Sequence, residues 1–376
     1  MQKIEFESWF EEQYAMDKIT RLDVSAYTIP TDFPEADGTL EWDSTTIVIV
    51  EVHAGGHIGI GFTYGDRAAA GVIDRVLSPI VLDHDAMDIR EIWVRMLRAV
   101  RNIGRPGIAS HAIAAVDVAL WDLKAHLLHL PLVNLLGAVR PGIAAYASGG
   151  FTSYSVAQLQ EQLSAWSDQG ITMLKMKVGS NINEDVERVR AAKQAIDNRG
   201  ELFVDANGAY TRKQALDFAE MFAAYDVRWF EEPVSPDDLE GLRLIRNRAP
   251  AGMNIAAGEY GYDVTYFRRM LDAGAVDVLQ ADATRCAGIT GFIEAAALAD
   301  SHHVPLSAHT APSIHAHVCC SIPEACHVEY FHDHVRIERM LFDGVINPVN
   351  GVLYPDTSRA GLGLEIKRAD VEKYAA

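Results

Sequence analysis

The run MLKMKVG carries Lys175 and Lys177 at alternate positions, so as a strand it would place two ammonium groups on one face. Acidic residues recur further along the chain: Asp205 in VDANG, Glu231 and Glu232 in WFEEP, Glu259 in AAGEY and Asp282 in QADATR. His309 in SAHTAP and Glu329 in CHVEYF complete the series. Three hard oxygen donors from Asp205, Glu231 and Glu259 suit Mg²⁺ in octahedral geometry, with positions left for water and substrate. Glu232 is an equal candidate for Glu231 on spacing alone, and salt bridges to the lysines are the competing way to neutralise the acids. His309 titrates near neutrality and can serve as acid or base, with Asp282 fixing its tautomer. A lysine base must have its proton affinity lowered, which a neighbouring ammonium and a bound cation both do.

These residues need elements that bring them together. From residue 141 to 339, eight short apolar runs alternate with amphipathic helical segments, a rhythm that predicts a parallel (β/α)8 barrel. The charged residues fall at the ends of seven successive runs, about 20 to 28 residues apart from Lys177 onward, so they should share one mouth. Ahead of the barrel, residues 17–140 read as an α+β unit: three β-rich runs, two of them joined across Gly55-Gly56, followed by helical segments that end in IASHAIAAVDVALWDLKAHLLHL. Residues 1–16 read as an extension. Residues 340–376 leave the barrel rhythm and are expected to pack back on the first unit.

Composition excludes several classes. The formal net charge of −19 on 376 residues disfavours nucleic acid and anionic membrane as partners. No apolar run reaches the length of a membrane helix, and the first residues are acidic rather than signal-like, so a cytoplasmic location is expected. Cys286, Cys319, Cys320 and Cys326 form no CxxC pair and read as reduced, mostly buried thiols.

The ordered series KMKVG, VDANGAY, WFEEP, AAGEY, QADATRCAGITG and SAHTAP resembles the motifs of the enolase superfamily, mandelate racemase subgroup, from about residue 18 to the C-terminus. The resemblance implies a modified (β/α)8 barrel under an N-terminal α+β capping domain completed by the C-terminal segment. It implies one Mg²⁺ on Asp205, Glu231 and Glu259, selecting Glu231 over Glu232. It also implies Lys177 as a base with Lys175 as its partner, His309 as the opposing base oriented by Asp282, and Glu329 and Asn207 near the substrate. Such sites use a Lys or His base with Mg²⁺ to remove a proton α to a carboxylate. A symmetric homo-oligomer is expected on the same ground.

Specificity in that family rests on capping-domain loops. Here these are PTDFPEADGTLEWDS, with Trp42, and GFTYGDR, with Tyr64 and Arg67. Their polarity suits a polyhydroxy chain, which favours dehydration of an acid sugar to a 2-keto-3-deoxy acid; an acidic surface loop is the plain alternative. Racemisation or epimerisation of a 2-hydroxy acid by Lys177 and His309 is the second reading. A zinc hydrolase built on the His315 and His317 pair is weaker, because that pair follows the seventh strand and falls in a helical segment. A barrel that only binds an acid sugar would not need two bases.

Overall fold

The computed structural model describes residues 18–375; the expected extension over residues 1–16 lies outside them. The chain opens on an antiparallel meander of β1 (Arg21–Ala36), β2 (Glu41–Ala54) and β3 (His57–Tyr64), in that spatial order. Gly55 and Gly56 both adopt positive φ, as the tight hairpin between β2 and β3 requires. Both faces of β2 are covered: Val48, Val50 and Val52 belong to the core of the capping domain, whereas Ile47 and Ile49 join the core that continues into the barrel. That explains an uninterrupted apolar IVIV over residues 47–50 where a half-exposed strand would alternate.

The helix Ile108–Leu127 lies on β3 at unusually close range. A Cβ on Gly59 would fall 2.2 Å from the carbonyl oxygen of Ala119, and one on Gly61 would fall 2.1 Å from that of Ala115. Glycines in the strand and alanines in the helix therefore let two backbones approach. Polar groups on the same helix then reach the barrel: Ser110 Oγ donates to the carbonyls of Tyr262 and Arg285, and Asp117 accepts from Thr290 N and Oγ1.

All eight expected barrel strands are present: β4 (Ile143–Gly149), β5 (Met173–Lys177), β6 (Glu201–Asp205), β7 (Val227–Glu231), β8 (Asn254–Ala257), β9 (Val278–Ala281), β10 (Leu306–Ala308) and β11 (Ala325–Phe331). Neighbours run parallel, and β11 pairs with β4 to close the ring. Side chains alternate as the period of two demands: Leu174 and Met176 face the surrounding helices, while Lys175 and Lys177 point inward. Tyr146, Phe203 and Trp229 fill the interior below the charged layer.

The C-terminal segment does two things. Its strands β12 (Phe342–Asp343) and β14 (Glu365–Ile366) pair with each other, Arg368 forms a salt bridge with Glu51 of β2, and Leu362 N donates to Asp122, so the segment returns to the capping domain as expected. Between them, β13 (Val352–Leu353) adds antiparallel to β4. A two-residue strand carries no periodicity, so its position is set by the barrel edge it meets. The close helix–strand approach makes a prediction: Gly61→Ala should destabilise the fold by about 1–3 kcal/mol, read as a lowered urea midpoint. An unchanged midpoint would contradict that contact.

Candidate active site

The strand register places the charged residues at one level. Lys177 pairs with Asp205, and Asp205 with Glu231, as direct cross-strand neighbours on β5, β6 and β7. Glu259 and Asp282 follow the ends of β8 and β9, His309 follows β10, and Glu329 lies within β11. Positive φ at Asn207, Glu232, Thr310 and Ala311 shows the backbone turning sharply just past the strand ends.

Asp205, Glu231 and Glu259 are buried and each offers an oxygen within 4.8 Å of the other two. This all-oxygen set could hold a hard divalent cation. Glu232 is outside it: its carboxylate is fully buried and has no hydrogen-bond partner. A one-residue step along the chain separates the two, because Glu231 shares the inward face of Trp229, whose Nε1 donates to Glu231 Oε2 at 2.8 Å.

The two lysines divide the carboxylates between them. Lys175 Nζ lies 2.7 Å from Glu231, 2.9 Å from Glu329 and 3.4 Å from Asp205, with no exposed surface. Lys177 Nζ sits on Asp205 Oδ2 at 2.5 Å and reaches the cavity above. The salt bridges weighed as a competing neutralisation are thus formed. Burial works against the Lys177 ammonium, but Asp205 outweighs it and the repulsion of Lys175, leaving its proton affinity raised rather than lowered. The expected lowering by Lys175 is therefore present in direction but overridden by the facing carboxylate. Burial, then the charge of Asp205, pushes Glu231 above the usual carboxylate range, as expected where acids crowd.

Across the mouth, with β4 and β11 between it and β5, stands His309. Its Nδ1 is 2.8 Å from Asp282 Oδ2, and its Nε2 is 3.3 Å from Glu259 and 3.6 Å from Glu329. Asp282 also accepts from Thr284 N and Oγ1. Burial opposes its ionisation, but the hydrogen bond and charge of His309 hold its pKa well below the usual range. Its contribution to stability is present above the ordinary carboxylate pKa and is lost as pH falls through the lowered one.

A cavity of about 330 Å³ opens above this layer, between barrel and capping domain. Lys177, Glu259, His309, Glu329 and Asn207 line its floor, and Trp42 and Tyr64 its cap side. Asn207 N donates to Asp205 Oδ1, while its own buried Oδ1 is unpartnered. Tyr64 presents its ring, because its hydroxyl donates to the carbonyl of His334 and its face stacks on that imidazole at 3.5 Å. Trp42 Nε1 donates to Glu35. Lys175 lies beneath the floor and does not line the cavity, and Arg67 is exposed at the start of the next helix.

Three residues at the site were missed on sequence. Arg285 reaches Glu259 at 3.3 Å and Asp282 at 3.6 Å; its spacing of three from Asp282 was a usable signal. Thr310 N donates to Glu329, and His334 lines the cavity from the helix His332–Leu341. Burial, then the positive charge of His309, lowers the His334 pKa to about 3, so it stands as neutral imidazole. The His315 and His317 pair lies in the helix Pro312–Cys319, fully buried. His315 is used at both nitrogens by Ala283 N and the carbonyl of Thr310, His317 Nδ1 accepts from Val133 N, and neither imidazole belongs to a cluster of possible metal ligands among the described residues. All four cysteines are free, and no helix among the described residues is long and apolar enough to cross a membrane.

A closed βα barrel with its charged groups gathered at one mouth, under a cap that completes the cavity, is the architecture of a barrel enzyme. Residues 28–137 match the family described as mandelate racemase / muconate lactonizing enzyme, N-terminal domain, and residues 158–371 the family described as enolase C-terminal domain-like. The chain belongs to the enolase superfamily, in its mandelate racemase/muconate lactonizing enzyme group. It is 32% identical over 358 residues to 3,6-anhydro-alpha-L-galactonate cycloisomerase of Streptomyces coelicolor, covering 93% of this chain and 97% of that protein. It is 31% identical to L-talarate/galactarate dehydratase of Salmonella typhimurium over 84% of this chain and 82% of that protein. The latter's crystal structure, liganded with Mg and L-lyxarohydroxamate, superposes with a TM-score of 0.87 at 29% identity, covering 96% of this chain and 93% of that one. A mandelate racemase/muconate lactonizing enzyme-like protein from Rubrobacter xylanophilus superposes with a TM-score of 0.94 at 52% identity, covering 96% and 100%.

The buried charge layer is directly testable. Lys175→Met leaves Glu231 and Glu329 uncompensated and should lower stability by about 3–5 kcal/mol in urea unfolding at pH 8. The loss should shrink at pH 5, where the orphaned carboxylates take up protons. A pH-independent loss would show that packing, not charge, dominates.

Proposed function

We propose that this protein removes the proton α to the carboxylate of an acid sugar and expels the oxygen on the adjacent carbon, giving a 2-keto-3-deoxy acid. The observation that carries the reading is the placement of Lys177 and the Asp282-held His309 on separated strands, facing one cavity above a three-carboxylate cluster. Asp205, Glu231 and Glu259 would hold Mg²⁺, which fits their all-oxygen donor set. When bound, the ion supplies positive charge where the substrate carboxylate gathers electrons.

The chain's own groups account for the proton traffic. Lys177 Nζ lines the cavity and takes the α proton once neutral, while Lys175 stays charged beneath it among Glu231 and Glu329. As the bond from the β carbon to oxygen breaks, the leaving oxygen takes a proton from His309 Nε2, whose opposite nitrogen is fixed by Asp282. The enol then tautomerises to the ketone. Asn207, with its unpartnered Oδ1, is placed to accept from a substrate hydroxyl.

The relatives named above support a carboxylate-bearing sugar substrate, since they are a dehydratase and a cycloisomerase of such acids. The same pair of bases also supports 1,1-proton transfer, in which Lys177 and His309 exchange roles and invert the α carbon. A cytoplasmic homo-oligomer acting on a small carboxylate remains part of the proposal.

With Mg²⁺ and a panel of acid sugars, formation of 2-keto-3-deoxy acid is the expected product signal. Lys177→Ala and His309→Asn should each lower kcat by about 10²–10⁴-fold. Chelation of the metal should abolish turnover and restored Mg²⁺ should recover it. Full activity in both variants would sink the assignment, and inversion of the α carbon without loss of water would select the racemase reading.

A further inference from the structure

The cavity carries its lining lysine and arginine on one side only. On the barrel side Lys177, Arg285 and His309, the groups that can receive a carboxylate, stand beside Glu259 and Glu329. On the cap side it is lined by Asp37, by the hydroxyl side chains of Ser44, Thr45 and Thr46, and by the rings of Trp42 and Tyr64. Asp37 is held in place, because its Oδ1 accepts from Thr39 N at 2.6 Å and Leu40 N at 2.7 Å.

A second row of acids backs this wall. Glu35 has no exposed surface; one oxygen accepts from Trp42 Nε1 at 2.8 Å and the other has no partner. Asp333, also fully buried, accepts from Thr45 Oγ1 and pairs with Arg336, so that guanidinium is already committed. Burial, then the charge of Asp333, raises the Glu35 pKa to about 9. The wall therefore already forces one of its own carboxyls to keep a proton at neutral pH.

We infer that the substrate is a monocarboxylate whose remote end is uncharged, a hydroxylated chain or an anhydro ring, and that diacid sugars are rejected by the cap wall. This rests on the proposed acid-sugar reading of the site and narrows it. A first carboxylate meets the barrel-side cations. A second, at the far end of a six-carbon diacid, would meet the Asp37 carboxylate on a wall whose lining residues include no Lys or Arg, so like charge opposes it with nothing to offset it. Neutral hydroxyls have partners there in Thr45, Thr46 and the Asp37 carboxylate, and the apolar face of a sugar can lie against Trp42 and Phe331.

Isothermal titration of the full chain in saturating Mg²⁺ with six-carbon aldonates and anhydro-aldonates, against six-carbon aldarates, tests it. The best monoacid should bind at least tenfold more tightly than the best diacid. Asp37→Asn, which keeps an acceptor for Thr39 N and Leu40 N, should narrow that ratio about tenfold. Equal or tighter binding of the diacids, or no binding of either class, overturns the inference. Because binding does not require turnover, a monoacid that binds preferentially but yields no keto acid upholds the inference while defeating the proposed reaction.

Discussion

The structure turns on one constraint: more carboxylates are buried at the barrel mouth than there are lysines to neutralise them. Asp205, Glu231, Glu259 and Glu329 converge there with Glu232 behind them, against Lys175, Lys177 and the flanking Arg285. Removing such charges from water is costly unless each finds a partner. The register of β5, β6 and β7, the Trp229 hydrogen bond to Glu231 and the Thr310 amide on Glu329 are the local answers. In the proposed reading Mg²⁺ provides the rest of the compensation, and relieving Asp205 of its demand on Lys177 is what would let that lysine become a base.

The capping domain serves the same layer from above. Its β2 strand is covered on both faces because it lies between the cap helices and the barrel core, which fixes the height of the β1–β2 hairpin end that bears Trp42. Thr152 and Ser153 of the barrel donate to the carbonyls of Asp37 and Pro34, and Arg336 donates to that of Pro30, so this hairpin is tied to the barrel at several points. The close seat of the helix Ile108–Leu127 on Gly59 and Gly61 carries Ser110 to the loops after β8 and β9 and Asp117 to the helix Gly288–Ser301. Cap geometry and the cavity roof are thus one mechanical problem.

How much was legible in the sequence follows from which interactions are local. Lys175 and Lys177 were readable as inward neighbours because strand period alone puts them on one face, and repeat length alone levels them with Asp205 and Glu231. The choice between Glu231 and Glu232 needed motif resemblance, since it depends on where β7 ends and the backbone turns to positive φ at Glu232. Trp42 and Tyr64, read as specificity residues on polarity, line the cavity with their polar atoms already engaged by Glu35 and the His334 carbonyl. Nothing short-range announces that Glu35 is buried, that His334 stacks on Tyr64 from 270 residues away, or that Val352 and Leu353 extend the barrel sheet. Those are consequences of tertiary closure.

The central claim is that this charge layer enolises a carboxylate substrate. Its most direct test is proton NMR in deuterated water with Mg²⁺ and a bound acid sugar, following the α hydrogen. The account predicts that this signal is lost through exchange or elimination in the wild-type protein and persists when Lys177 and His309 are both replaced. Persistence of the α hydrogen in the wild-type protein, with every acid sugar that binds, would contradict it.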